Sequence, residues 1–280
     1  NYSTLSGISW GNNLFVVVGA SIYGNVLATS PDGVTWASRN AGLSKWDGSL
    51  MGITWADNQF VAVGDSSSSS VNSPIVTSTN GVNWAKRDSG TIQALNAVAG
   101  NGNLFVAVGA RSTVLTSPNG VDWTVHSVWD VYNGDLLGVV WGHNQFVAVG
   151  GAILTSPDGI TWTKQLSGTS LSSVTWNGLQ FLAVGNGGAI LTSPDGIHWT
   201  ARTSGSVRGL SSVTSNVGQF VAVGESGTIL GSGTAGTIAG RILSPLYSGT
   251  LVAGATLRFG PSALQPSQAT CHWAFGDGRS

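Results

Sequence analysis

Six near copies of the pentapeptide Phe-Val-Ala-Val-Gly, beginning at Phe15, Phe60, Phe105, Phe146, Phe181 and Phe220, punctuate the 280-residue chain. Each begins ten residues after a leucine, and the leucines Leu5, Leu50, Leu95, Leu136, Leu171 and Leu210 set repeat spacings of 45, 45, 41, 35 and 39 residues. A unit of this length does not bury a hydrophobic face alone and is stable only when stacked on its neighbours. Several short strands in each unit at this period predict a β-propeller with one blade per repeat.

The stretch from Leu136 to Gly168 shows how one unit is built. Four β-rich runs, Leu136 to Trp141, Phe146 to Gly150, Ala152 to Ser156 and Ile160 to Lys164, are separated by Gly-His-Asn, Gly and Pro-Asp-Gly. Such runs joined by tight turns predict a four-stranded antiparallel blade. In the second run Phe146, Ala148 and Gly150 alternate with Val147 and Val149, so both faces are apolar, as a sheet held between two other sheets requires.

The turn before the fourth run recurs five times, as Ser30-Pro31-Asp32-Gly33-Val34-Thr35-Trp36 and its counterparts centred on Asn80-Gly81, Asn119-Gly120, Asp158-Gly159 and Asp195-Gly196, ending at Trp84, Trp123, Trp162 and Trp199. The glycine supplies positive φ, the Asp or Asn oxygen accepts nearby backbone N–H groups, and the tryptophan brings a large ring to bury between blades. This pattern resembles that of the Asp-box, or BNR-repeat, propellers, a group that includes sialidases, sortilin-type receptors and photosystem II assembly-factor propellers. It is one residue shorter between serine and tryptophan than the family's Ser-x-Asp-x-Gly-x-Thr-Trp. The resemblance covers residues 5 to about 236 and implies that the turn is structural and faces away from any ligand.

In the sixth repeat Gly233-Thr234-Ala235-Gly236 replaces the turn signature. Thr237 to Leu243 is the candidate for the missing outer strand; a three-stranded blade, or a strand from chain further upstream, is the alternative. From about Ala239 the repeat gives way to Ser244-Pro245-Leu246, Gly254-Ala255-Thr256-Leu257-Arg258-Phe259 and His272-Trp273-Ala274-Phe275-Gly276-Asp277-Gly278. This tail resembles the first half of a PKD domain, an immunoglobulin-like sandwich with the signature Trp-Asp-Phe-Gly-Asp-Gly, here with Ala274 in place of the first aspartate. A whole sandwich takes on the order of 100 residues. Half of one leaves an apolar face and open strand edges to be covered. Truncation is one explanation, and completion by a neighbouring subunit or domain is the other.

Composition narrows the function classes. The chain has 11 basic and 12 acidic residues, a net charge of −1 and scattered lysines and arginines, which offers no footprint for a phosphate backbone or an anionic membrane. No apolar run approaches the roughly 18 residues of a membrane-spanning helix, and the opening Asn1-Tyr2-Ser3-Thr4 does not read as a signal peptide. One cysteine, Cys271, excludes an internal disulfide framework. Scarce lysine with abundant serine and threonine leans toward a secreted or surface-displayed bacterial protein.

Catalytic patterns are missing. Glycoside hydrolysis takes two facing carboxylates, yet Glu225 is the single glutamate, and Asp32, Asp122, Asp158, Asp195 and Asp277 sit in or beside the turns or the tail signature. His126, His143, His198 and His272 lack metal-ligand spacing, and no nucleophile elbow or phosphate loop occurs. No cofactor and no metal are expected.

Aromatic residues carry the remaining clues. Trp10, Trp55, Trp141 and Trp176 end the first run of their repeats and read as inter-blade packing, with sugar stacking as the other reading. Trp46 and Trp129, the latter near Tyr132, fall outside the repeat register in long polar connections, as contact residues do. Ser66 to Ser70 form an insertion suited to a mobile loop or O-glycan acceptor. The sequence therefore predicts an all-β chain: a six-bladed propeller of four-stranded antiparallel blades over 1–238, with repeats starting near 5, 50, 95, 136, 171 and 210, followed by an incomplete immunoglobulin-like (PKD) β-sandwich over 239–280. The expected function is a non-enzymatic extracellular or cell-surface structural or interaction module. It would bind a protein partner or self-associate through the C-terminal half-module, assembling into a fibre or surface layer. A carbohydrate-binding adhesion module is the alternative, and a polysaccharide-degrading enzyme comes third.

Overall fold

The computed structural model describes residues 3–22, 24–44, 46–66, 71–216, 219–232 and 241–242. These residues form six four-stranded antiparallel sheets, one per repeat, each with its strands in sequence order from the inner to the outer edge. Blade one consists of Ser3–Gly11, Leu14–Ser21, Gly24–Ser30 and Ala37–Ser38, and blade two of Ser49–Ala56, Gln59–Asp65, Ile75–Ser78 and Ala85–Arg87. Blade three follows as Leu95–Gly100, Phe105–Gly109, Thr113–Ser117 and Thr124–Ser127, and blade four as Leu136–Gly142, Gln145–Gly150, Ala152–Ser156 and Thr163–Ser167. Blade five is Leu171–Trp176, Phe181–Gly185, Ile190–Ser193 and Thr200–Arg202; blade six is Leu210–Asn216, Gln219–Gly224, Thr228–Gly231 and Arg241–Ile242. The chain is a six-bladed β-propeller.

The pentapeptide forms the second strand of every blade, and its alternation works as expected. Phe146 and Ala148 pack toward blade three with Val106 and Val108, whereas Val147 and Val149 pack toward blade five with Leu171, Phe181 and Ala183. The closing glycine has a steric reason. A Cβ on Gly19, Gly64, Gly109, Gly150, Gly185 or Gly224 would lie 1.9–2.1 Å from the carbonyl oxygen of the residue before the repeat leucine, or of its equivalent in each blade. Any side chain there forces two backbones apart. Beside that contact every first strand carries a bulge, between Leu5 and Gly7, Leu50 and Gly52, Leu136 and Gly138, Leu171 and Ser173, and Leu210 and Ser212, with blade three interrupted at the same place.

One strand assignment differs from the sequence reading, and one that it left open is settled. The fourth strand of blade four runs Thr163–Ser167 instead of Ile160 to Lys164, because residues 157–161 are wound into the turn by the Asp158 carboxylate, which accepts the N–H groups of Ile160 and Thr161 at 2.9 and 2.7 Å. The sixth blade is not left three-stranded: Arg241 and Ile242, inside the candidate stretch Thr237 to Leu243, pair with Gly231 and Leu230. The rest of the partial PKD-like module expected at 239–280 lies outside the described residues, as do Ser67 to Ser70 of the serine insertion.

Blades pack in chain order, with the first strands of one and two, two and three, three and four, four and five, and five and six in contact. Among the described residues, blades six and one make no packing of that extent.

Candidate functional site

Strand pairing sorts the loops onto two ends. Trp10 pairs with Phe15, and Phe15 with Ser30, so the hairpin between the first two strands and the Asp/Asn-Gly turn share one end. The other end carries the loops between second and third strands and the connections to the next blade.

At the turn end, hydrogen bonds account for each motif residue. The Ser30 hydroxyl donates to Asp32 Oδ1 at 2.8 Å and accepts Gly33 N–H at 2.8 Å, while Asp32 Oδ1 accepts Val34 and Thr35 N–H at 2.8 Å. Asn80 makes the same bonds to Val82 and Asn83 at 2.9 Å, and Asn119 to Val121 and Asp122 at 2.9 Å, so an amide oxygen suffices. The indole N–H of Trp36, Trp84, Trp123, Trp162 and Trp199 donates to the carbonyl of Gly33, Gly81, Gly120, Gly159 and Gly196 at 2.8–3.1 Å. Those glycines have φ between 71° and 76°, the left-handed region.

The electrostatics follow from this geometry. The N–H groups of Thr35 and Val34, with the Ser30 hydroxyl, hold the Asp32 carboxyl at about 2. At Asp158 burial pushes the value up, and the N–H groups of Thr161 and Ile160 outweigh it to give about 2. At Asp195 burial is again outweighed, here by the His198 N–H and ring, which hold the carboxyl well below the usual range. The turns also reach across blades, since Gln59 Nε2 donates to Asn119 O at 2.9 Å. These carboxylates are committed to backbone.

The hairpin tryptophans pack too. Trp10, Trp55, Trp141 and Trp176 lie 4.3–4.6 Å, centroid to centroid, from the phenylalanine of the same blade. A Cβ on Gly11 or Gly142 would meet Trp55 or Trp176 of the next blade at 2.1 or 2.5 Å, so glycine opposite the ring makes room for it.

At the opposite end the chain stops repeating. Trp46 is 66% exposed, on a loop held by Ser44 N–H donating to Asp47 Oδ2 at 2.7 Å and by the Lys86–Asp47 ion pair. Trp129 is 51% exposed, and its connection is clamped to blade three: Ser112 N–H donates to Gly134 O at 2.8 Å, Arg111 N–H to Asp135 Oδ1 at 2.9 Å, and the Ser112 hydroxyl to Tyr132 O. Tyr132 differs from these two. It is half-buried against the cluster between blades three and four, and its hydroxyl lies over Gly134 and Gly151. The structure thus places Trp46 and Trp129 on one end, two blades apart, and makes Tyr132 chiefly a packing residue.

Two features escaped the sequence reading. The bulges turn Met51 and Leu137 out of the blade faces, and both are exposed although the blades around them are packed on each side. A bulge has no motif of its own, but the extra residue between each leucine and the alternating run was its signal. The second is a repeated pin: Arg39, Arg87, Gln165 and Arg202 on or beside the outer strands donate to Thr29, Thr77, Thr155 and Thr192 at 2.8–2.9 Å, ten residues apart each time. Among the described residues, no group of three or more His, Cys, Asp or Glu side chains is placed to hold a metal ion, and no helix is long and apolar enough to cross a membrane.

No family model and no curated protein sequence matches the chain. Solved structures do. YCF48 bound to D1 peptide is 18% identical, with 81% of this chain and 77% of that chain covered at a TM-score of 0.59. YCF48 from Cyanidioschyzon merolae is 17% identical over 82% of each chain at 0.60. The WD40 β-propeller domain of Doa1 is 11% identical, with 86% of this chain and 81% of that chain covered at 0.61. At these identities the likeness establishes the fold: the chain folds as a propeller similar to those of YCF48 and Doa1.

Proposed function

We propose that the chain is a non-enzymatic interaction module that holds an extended peptide segment of a protein partner against the end carrying Trp46 and Trp129. The observation that carries this reading is the placement of two exposed indoles on hydrogen-bonded connections, on the end opposite the turns. Ordered loops lose little entropy on binding, and tryptophan on a rigid support is a common anchor. Exposed Met51 and Leu137 add adaptable apolar surface on the inner strands toward the same end. Similarity to a propeller solved with a bound peptide supports the same class of partner.

The setting in this proposal is extracellular or cell-surface, resting on the low charge and the serine- and threonine-rich composition. Assembly into a fibre or surface layer, and glycans as the alternative ligand for the same two indoles, extend it. The test is selection of displayed random peptides on the immobilised chain, beside a glycan array. Peptide binding lost in Trp46→Ala and Trp129→Ala but kept in the turn-end variant Val34→Ser supports the proposal. Binding lost only in the turn-end variant, or seen only with glycans, overturns it.

A further inference from the structure

Four of the chain's Asn-Gly pairs lie at the turn end. Asn80-Gly81 and Asn119-Gly120 belong to the repeated turn, whereas Asn101-Gly102 and Asn177-Gly178 form hairpin tips between the first two strands of blades three and five. The asparagine side chain is placed alike in all four, with Oδ1 accepting the N–H groups two and three residues on. These are Val82 and Asn83 at 2.9 Å, Val121 and Asp122 at 2.9 Å, Asn103 and Leu104 at 2.9 and 2.8 Å, and Leu179 and Gln180 at 2.9 Å. Two N–H groups on one carbonyl oxygen draw electrons from Cγ and stabilise the negative charge that Oδ1 takes on when a nucleophile adds there. The amide nitrogen of the following glycine is such a nucleophile, held next to Cγ by the chain itself.

The glycines differ between the two pairs. Gly81 and Gly120 are buried, and a Cβ there would meet Leu14 and Phe60 in one turn and the Gln59 side chain in the other. Gly81 N–H donates to Ser78 Oγ at 2.8 Å, and the Asn119 amide is held from its other side, with Nδ2 donating to Asp122 Oδ2 at 2.9 Å. Gly102 and Gly178 are exposed, with φ of 90° and 92°, and a Cβ on either would meet nothing within 4 Å. The place that Ser78 holds relative to Gly81 is taken by Ala99 relative to Gly102. Relative to Gly178 it is taken by Thr175, whose hydroxyl is engaged with Ser215 Oγ at 3.1 Å.

We propose that Asn101 and Asn177 are sites of self-modification by deamidation, and that the buried glycine and its serine guard the repeated turn of blade two against the same chemistry. The Gly102 or Gly178 nitrogen loses its proton to water or hydroxide and attacks Asn Cγ. The N–Cγ bond forms, the Cγ–Nδ2 bond breaks, and Nδ2 takes up a proton and leaves as ammonia, giving a cyclic imide. Water adds to one of the two imide carbonyls and opens the ring, to aspartate from one side and to isoaspartate from the other. Aspartate keeps the hairpin, since Asp32 Oδ1 accepts the equivalent pair of N–H groups at 2.8 Å. Each conversion adds one negative charge to a chain whose net charge is −1. Isoaspartate lengthens the backbone by a methylene and disturbs the closure of the tip, where Asn101 N–H donates to Leu104 O at 3.1 Å.

The full chain is incubated at mildly alkaline pH, folded and in guanidinium, and peptide mapping by mass spectrometry follows the conversion of each asparagine amide to acid. The N–H pair and the open glycine are expected to keep the folded rates of Asn101 and Asn177 within about threefold of their unfolded rates or above them, and local opening to hold Asn80 and Asn119 at least about 30-fold below theirs. Folded Asn101 and Asn177 no faster than Asn80 and Asn119 overturn the proposal. So does the same order of rates in guanidinium, because neighbouring residues and not the fold would then set it. Ser78→Ala tests the guard: the Asn80 rate is expected to rise about fivefold, as the loss of one hydrogen bond gives, with amide exchange at Val82 and Asn83 unchanged. An Asn80 rate left at the parent value, or a rise accompanied by faster exchange at Val82 and Asn83, overturns the guarding role of the serine.

Discussion

The two ends of the blades are made from the same strands, yet they obey different rules. At the turn end each of blades one to five repeats one hydrogen-bonded device, in which serine, Asp or Asn, glycine and tryptophan satisfy one another within seven residues. At the other end the connections vary in length from the 168–170 stretch to the 39–48 stretch, and their order comes from contacts made once: Asp47 with Lys86, Ser112 with Gly134 and Tyr132, Arg111 with Asp135. Local closure allows a motif to be copied from blade to blade. A loop ordered by distant partners is free to differ in each blade, and recognition surfaces are commonly built that way.

Substitutions test this contrast, beginning with the largest effect. Trp162→Ala removes a buried ring and its bond to Gly159 O; it is expected to cost about 3–5 kcal/mol in denaturant unfolding and to leave peptide capture intact below the transition. Gly150→Ala drives a Cβ into the Asp135 carbonyl. A loss of about 1–3 kcal/mol is expected, and because Asp135 also accepts Arg111 N–H in the Trp129 clamp, capture should weaken too, which would show how the irregular end rests on repeated backbone contacts.

Acid probes the turn end alone. The Asp32, Asp158 and Asp195 carboxyls sit below their unfolded values, so their contribution is complete above about pH 4. It is lost as pH falls toward and through about 2, the folded values of Asp32 and Asp158. Asn80 and Asn119 do not titrate, so blades two and three should hold their turns in acid longer than blades one, four and five. Asp158→Asn should flatten that part of the stability profile, and residue-resolved amide exchange between pH 5 and 2 checks both points. The smallest stability effect belongs to the other end, where Trp46→Ala and Trp129→Ala should each stay within about 0.5 kcal/mol of the parent protein. If either variant unfolds the chain, the indole is a packing residue and the contrast between the ends fails there.

The amino-acid order by itself determined the number of blades, the four strands in each, the two apolar faces of Phe-Val-Ala-Val-Gly and the chemistry of the turn. All of these are set by contacts within a few residues or within one repeat, and a local pattern can carry them. It also singled out Trp46 and Trp129 by their failure to repeat. Only the tertiary structure decided that these indoles share an end with the bulged Met51 and Leu137, that Tyr132 turns inward, that the pentapeptide's glycine yields to a carbonyl ahead of the repeat leucine, and that Leu5 of blade one is exposed where Leu50, Leu95, Leu136 and Leu171 are buried. Each of these depends on which strand or blade lies next to which, and identical repeats look alike in sequence whether or not a neighbour covers them.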